Sequence, residues 1–272
     1  GTLLIEKHAL SYQFSSRFVP GFSSGDLNDA RQPVLAFAPF VSGGADLRQE
    51  GLGVYVPLPG SSTEIASLDA KRFIDSTATK QNLLDNIDRF PILHLATHAI
   101  ADMDDPSNSY IALFPSTRSR PEDFLFLGEL YGLRMDSCQL VVISACETGK
   151  GQMVTNEGIM SFARAFMYAG CPSTVNSLWK ADDHSTGEIL RQFYVYLAKG
   201  YSKSEALQQA KLDFIHKNPL YRDPVYWSHL ILTGNMNSLY KKKQPYRWAV
   251  LGLCCSIAFL VLRKRKKSRR LP

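Results

Sequence analysis

Ile92-Leu93-His94-Leu95-Ala96-Thr97-His98 and Leu140-Val141-Val142-Ile143-Ser144-Ala145-Cys146 are two short apolar runs, each followed by small or polar residues. That is the pattern of a buried strand of an α/β sheet as it reaches its carboxyl edge. Open α/β sheets gather their chemistry at that edge. Runs separated by helices pair as parallel neighbours, so these two bring an imidazole and a thiol side by side although 48 residues separate them in the chain. A thiol beside an imidazole is a cysteine nucleophile with its base. His98 and Cys146 are therefore the candidate catalytic residues.

Working outward, further strand-like runs lie at Val34 to Ala38, Ile111 to Phe114, Ser173 to Leu178 and His229 to Thr233, with helical patterns between most of them. The alternation predicts a mixed, largely parallel sheet between helices. Ser61-x-x-Glu64, Ser185-x-x-Glu188 and Ser202-x-x-Glu205 have the spacing of capping boxes. After Glu157, the apolar Ile159, Phe162, Ala163 and Phe166 fall at i, i+3, i+4 and i+7, and Gly170 stands where a left-handed stop is wanted, which predicts a core helix. The polar, Pro-containing loops Met103 to Asn108 and Ser116 to Asp123 flank the strand after His98 and are candidate cleft walls.

The chain has 272 residues and is 45% hydrophobic, enough for a sizeable core. Its formal charge of +6 is unevenly placed: residues 241–270 hold 11 of the 31 Lys and Arg and no acid, so the other 20 face all 25 acids and residues 1–240 stand at −5. A body of that sign does not track phosphates, and no nucleic-acid partner is expected. Within the basic stretch, Trp248 to Leu262 is uncharged and rich in Leu, Val, Ala, Ile and Phe, with Tyr246 and Trp248 at its entrance. This is the pattern of a transmembrane helix with an interfacial aromatic; a buried terminal helix is the alternative. The stretch is shorter than the roughly 20 residues of a typical span, so flanking Arg and Lys would snorkel or the bilayer thin. Seven basic residues follow it and four precede it, which puts the tail in the cytoplasm and the folded domain on the exoplasmic or periplasmic side, a cytoplasmic domain being the alternative. That side is oxidising, in tension with a chemistry that needs a reduced thiol. The reading is a folded domain over 1–238, a basic linker over 239–247, a membrane helix over 248–262 and a basic tail over 263–272. The chain opens at Gly1 without an initiator Met or a signal peptide, and an upstream region is expected. Cys254 and Cys255 belong to the apolar stretch, which leaves Cys138, Cys146 and Cys171, an odd number with no disulfide pattern.

Cys146 is followed by Glu147, Thr148, Gly149 and Gly151, a strand end and glycine-containing loop that would expose a thiol on a rigid backbone. A buried structural cysteine is the competing reading. A His about 50 residues before a Cys is the caspase arrangement, although Ser144 and Thr148 stand where that signature has Gln and Gly. HLATHA at 94–99, SACETGKG at 144–151, EGIMSFARAFMYAG at 157–170 and SLWKADDHST at 177–186, with LPGSSTEI at 58–65, EALQQAK at 205–211 and YWSHLILTG at 226–234, resemble the ordered motifs of the CHAT domain, a caspase-like cysteine peptidase family often found behind tetratricopeptide repeats.

The resemblance spans nearly everything from Leu3 to Gly234. It implies a caspase-like sheet and a cysteine endopeptidase with His98 as catalytic histidine, Cys146 as nucleophile and a protein or peptide substrate, needing no cofactor. It also implies upstream tetratricopeptide repeats that regulate the protease or present substrate. Backbone amides at Ala99 and Cys146 would hold the oxyanion, with Ala99 standing where such sites commonly have Gly. Asp183 falls at an acidic position of the family that lines the specificity pocket, favouring a basic side chain before the scissile bond; alternatively it caps the following helix. Trp179 is either packing or a pocket wall. His94 reads as a core histidine with a hydrogen-bond partner. A zinc site from His94, His98 and a thiol lacks a closely spaced ligand pair, so no metal is expected. The rival function is a non-catalytic caspase-like signalling or scaffold module that binds protein partners.

Overall fold

The computed structural model describes residues 2–14, 33–42, 48–49, 53–102, 105–115, 123–147, 157–179 and 182–240. The described residues belong to one compact unit, and the apolar stretch from Trp248 to Leu262 lies outside them. Among the described residues, no helix is long and apolar enough to cross a membrane.

The strands are β1 (Val34–Ala38), β2 (Arg48–Gln49), β3 (Gly53–Val54), β4 (Ala70–Ile74), β5 (Ile92–Ile100), β6 (Tyr110–Ile111), β7 (Leu125–Phe126), β8 (Leu140–Glu147), β9 (Ser173–Ser177) and β10 (Leu230–Gly234). Between and before them run α1 (Leu4–Lys7), α2 (Pro59–Ala66), α3 (Lys80–Leu84), α4 (Leu127–Leu130), α5 (Glu157–Tyr168), α6 (Asp183–Ala198) and α7 (Lys203–Lys217). The 8-stranded sheet has the order β10-β9-β8-β5-β1-β4, with β6 on β5 and β7 on β6, while β2 and β3 form a ribbon of their own. Strands β4, β1, β5, β8 and β9 are parallel and β10 is antiparallel. After β1 the chain adds β4 on one side and then β5 on the other, so the strand order reverses between β1 and β5. A crevice opens at the carboxyl ends of strands at such a reversal.

Alternation along each strand divides the core into two layers. Ile92 and Ala96 of β5 with Leu140 and Val142 of β8 face Ile65 of α2, Ile189 and Phe193 of α6, and Leu207 and Phe214 of α7. Leu93 and Leu95 with Val141 and Ile143 face Leu83 of α3, Leu130 of α4, and Phe162 and Phe166 of α5. Helix α5 follows the expected pattern: Phe162, Ala163 and Phe166 are buried, and Gly170 has φ +111°, a conformation that glycine adopts without a side-chain clash.

Three features differ from the sequence reading. Strand β5 does not end at its apolar run but continues to Ile100, so His98 lies inside a paired strand. Strand β4, the far edge of the sheet, was not anticipated. Of the expected capping boxes, only Ser202 and Glu205 form one, with Ser202 accepting from the Glu205 amide and Glu205 accepting from the Ser202 amide. Helix α6 is capped by Asp182, whose carboxylate accepts from the Ser185 amide at 2.9 Å. Helix α2 starts at Pro59, two residues ahead of Ser61, so Glu64 lies beyond its first turn, where it is buried.

Candidate active site

The ladder between β5 and β8 runs from Ile92 opposite Leu140 to Ala99 opposite Glu147 and sets His98 opposite Cys146. Neighbouring strands lie about 4.8 Å apart, and in-register residues of parallel strands share a face. The backbones of His98 and Cys146 are thus adjacent.

His98 is 1% exposed. Its Nε2 lies 2.7 Å from the carbonyl oxygen of Val56, in the segment that links β3 to α2. A carbonyl only accepts, so Nε2 carries the hydrogen and donates; in the neutral ring the lone pair is then on Nδ1. The ring packs against Phe40 and Tyr55, at centroid distances of 5.3 and 5.5 Å. Phe40 and Tyr55 stack on each other at 5.2 Å, and the Tyr55 hydroxyl shares a hydrogen bond of 2.7 Å with that of Tyr110. Burial, then that hydrogen bond, push the Tyr55 phenol far above its ordinary range, so the wall beside His98 stays neutral.

The amide of Ala112 donates to the carbonyl of His98 at 2.9 Å, so the backbone groups of His98 face β6. By alternation those of Ala99 face β8. Ala99 is buried and paired on both sides, with Ile111 and with Glu147.

Beneath the pair lies a polar cluster. Glu64 reaches from α2 into the layer, its Oε1 2.8 Å from His94 Nε2 and its Oε2 accepting from Ser144 Oγ at 3.0 Å. His94 is fully buried and its Nδ1 pairs with the Tyr194 hydroxyl at 2.8 Å. Burial, then the Glu64 charge, hold the Tyr194 phenol well above its ordinary range. Tyr194 therefore keeps its proton and donates to Nδ1, which puts the hydrogen of the neutral His94 ring on Nε2, beside Glu64 but without hydrogen-bond alignment to it. The core reading of His94 agrees with this placement.

Asp183 is exposed at the first turn of α6. With Gly60, Thr63, Glu64, His184, Glu188 and Arg191 it lines a cavity of about 550 Å³ between α2 and α6. A β-carbon at Gly60 would stand 3.3 Å from the Asp183 β-carbon, so the small residue admits the close approach of the two helices. The capping role considered for Asp183 belongs to Asp182. Trp179 donates from Nε1 to the Val225 carbonyl at 3.1 Å and sets its ring against His229, a packing role. Cys138 and Cys171 are buried free thiols. Among the described residues, no cluster of His, Cys, Asp and Glu could hold a metal ion.

Val56, Phe40, Tyr55 and Glu64 are site residues that the sequence reading missed. Val56 acts through its carbonyl, which leaves no side-chain signal. Glu64 carried a signal, but one that pointed to a helix cap.

A mostly parallel sheet clad in helices, with His and Cys in register on neighbouring strands, is a caspase-like arrangement. The chain belongs to the CHAT domain family, which matches residues 1–235. It is similar to Tetratricopeptide repeat protein 28 of Mus musculus, 22% identical over 219 residues, 66% of this chain and 9% of that protein. Against Tetratricopeptide repeat protein 28 of Homo sapiens it is 27% identical over 97 residues, 36% of this chain and 4% of that protein. The chain thus spans less than a tenth of the length of these curated relatives. Among solved structures it is similar to the RgpB pro- and mature domains of Porphyromonas gingivalis, with TM-score 0.48 and 12% identity over 80% of this chain and 51% of that one. It is also similar to the Saccharomyces cerevisiae separase–securin complex, with TM-score 0.43 and 11% identity over 75% of this chain and 12% of that one.

Proposed function

We propose that the protein is a membrane-anchored cysteine endopeptidase with His98 and Cys146 as its dyad. The observation that carries this reading is the register that sets His98 opposite Cys146 while the Val56 carbonyl fixes the hydrogen on His98 Nε2. A base held in one tautomer by a third group is the arrangement an activated nucleophile requires. Nδ1 takes the thiol proton of Cys146, and the thiolate attacks the peptide carbonyl. As the tetrahedral adduct collapses, the imidazolium returns that proton to the leaving amine and a thioester remains. Water, deprotonated by the same imidazole, then hydrolyses the thioester and frees the thiol. The amide at Cys146 stabilises the oxyanion, worth about 10²-fold in rate by analogy with other hydrolases, whereas the expected second donor, the Ala99 amide, is turned into the ladder with β8.

The cavity at Asp183 supports a preference for a basic side chain before the scissile bond. Glu64 and Glu188 line the same cavity, but Glu64 lies against His94 and Ser144 and Glu188 accepts from Asn218, so Asp183 is the acid we assign to a basic side chain. Relatives named for tetratricopeptide repeats support an upstream repeat region that regulates the protease or presents substrate. The uncharged Trp248 to Leu262 with its basic flanks supports the anchor, with the tail cytoplasmic and the domain across the membrane. A reporter fused after Pro272 tests the orientation, and a reporter outside the cytoplasm reverses it.

Labelling with iodoacetamide tests the dyad. Selective modification of Cys146 that is lost in His98→Ala is expected, together with new substrate termini made by the wild type and not by Cys146→Ala. Labelling indifferent to His98→Ala turns the assignment toward a binding module.

A further inference from the structure

The carboxylate of Glu64 stands where the two active strands meet. His94 is four residues before His98 on β5, and Ser144 is two before Cys146 on β8, so His94 and Ser144 stand at the same alternation as the dyad positions. Glu64 is 7% exposed and contacts both strands, His94 through Oε1 and Ser144 through Oε2. The Ser144 contact is a directional hydrogen bond, and the His94 contact is a close approach of imidazole and carboxylate without hydrogen-bond alignment. Tyr194 of α6 fixes the His94 ring from its other side. The cluster thereby ties α2, β5, β8 and α6 together one to two strand repeats below the dyad.

We propose that Glu64 is a positioning residue for the His98–Cys146 pair. By holding His94 and Ser144 at once, it locks β5 against β8 and fixes the separation of imidazole and thiol. The inference rests on the dyad reading and adds to it the residue that sets the dyad's geometry. Glu64 touches neither substrate nor thiol in this role. Reactivity is sensitive to such spacing, since a displacement of about 1 Å costs on the order of 10²-fold in rate.

The test uses the full-length protein and measures the rate of iodoacetamide alkylation at Cys146 against pH, with each cysteine followed separately by mass spectrometry. Cys138 and Cys171, both buried, report unfolding by becoming labelled. Ser144→Ala removes the β8 contact with a small change of volume, Ser144→Thr keeps the hydroxyl, and Glu64→Gln keeps the shape but not the charge. The expected result is a fall of about tenfold in Cys146 alkylation at neutral pH in Ser144→Ala and Glu64→Gln. The pH midpoint should move up toward that of a free thiol, about 8.5. Ser144→Thr should recover both, and peptide cleavage should lose kcat with KM unchanged. Unchanged rate and midpoint in Ser144→Ala and Glu64→Gln, with Cys138 and Cys171 still protected, overturn the proposal. If Glu64→Gln exposes those thiols, the Ser144 pair of variants decides. A wild-type Cys146 indifferent to His98→Ala removes the dyad reading and this inference together; a His98-dependent Cys146 that ignores Ser144 removes the inference alone.

Discussion

The imidazole of His98 is held by one carbonyl and two aromatic rings, and each constraint does a different thing. The Val56 carbonyl selects the tautomer, whereas Phe40 and Tyr55 limit the ring's tilt. Phe40→Leu keeps most of the apolar volume and removes the ring contacts with both His98 and Tyr55. It is expected to destabilise the fold by about 1–2 kcal/mol, read from the urea midpoint, and to lower kcat severalfold with KM little changed. A loss confined to stability would assign Phe40 to packing alone. His98 and Cys146 were legible in the sequence because each stands at the polar end of a run of Leu, Ile and Val. Glu64 was misread because the spacing from Ser61 satisfies a local rule, and the local rule lost because the helix begins at Pro59, which puts Glu64 beyond the first turn. Asp182 was missed as the cap of α6 for the opposite reason: three candidate oxygens, Asp182, Asp183 and Ser185, lie within four positions, and only backbone geometry chooses among them.

Helix α7 buries two lysines against the end of the sheet. Lys203 donates to the Asn235 carbonyl at 3.1 Å and Lys211 to the Leu230 carbonyl at 2.6 Å. Burial lowers Lys203 to about 8 and Lys211 to about 7, both from an ordinary 10.5. His229, beneath the same helices, is lowered to about 3 by burial and then by the charge of Lys211. The signs follow from proton uptake. Between about pH 7 and the ordinary lysine value the unfolded chain holds protons that the folded chain has released, so stability rises with pH across that window. Below about pH 6.5 the unfolded chain protonates His229 first, so stability falls as pH drops toward 3. Lys211→Met is expected to flatten the alkaline rise and to add on the order of 2 kcal/mol at pH 7, checked by thermal melts from pH 6 to 9.5. Strand β10 ends in Gly234, with φ +94° and no room for a β-carbon, which would overlap the Pro172 carbonyl oxygen. Gly234→Ala should therefore cost about 3 kcal/mol, seen as a lower melting temperature. The central strands were legible because both their faces are buried, which writes an unbroken apolar run. Strand β4 was not: Ala70-Lys71-Arg72-Phe73-Ile74 is an edge, and its exposed Lys71 and Arg72 break the pattern.

At the scale of the whole molecule, charge and core divide the chain at nearly the same place. Residues 1–240 carry the acidic excess and residues 241–270 only bases. The core reaches past the last strand: Leu239 is 1% exposed in the layer of α6 and α7, and Tyr240 packs on it. The segment after β10 is also tied back by its backbone, with the Lys203 amide donating to Met236 at 2.9 Å and Ser202 bridging to Ser238. Those contacts set where the chain can be cut. Ending it after Lys241 keeps Leu239 and the partner of Lys203, so the melting temperature and the reactivity of Cys146 should match those of the full chain. If residues 248–262 are the anchor, that same shortened chain should leave the membrane pellet for the supernatant. Ending it after Gly234 removes Leu239 and strips the buried Lys203 amine of the Asn235 carbonyl, a loss of about 3–5 kcal/mol, a large share of what a domain of this size has to spare. Sedimentation with membranes and a urea titration of the two truncations separate the effects: equal urea midpoints would place the fold's end before Leu239, and a shortened chain that still pellets with membranes would take the anchor away from the apolar stretch.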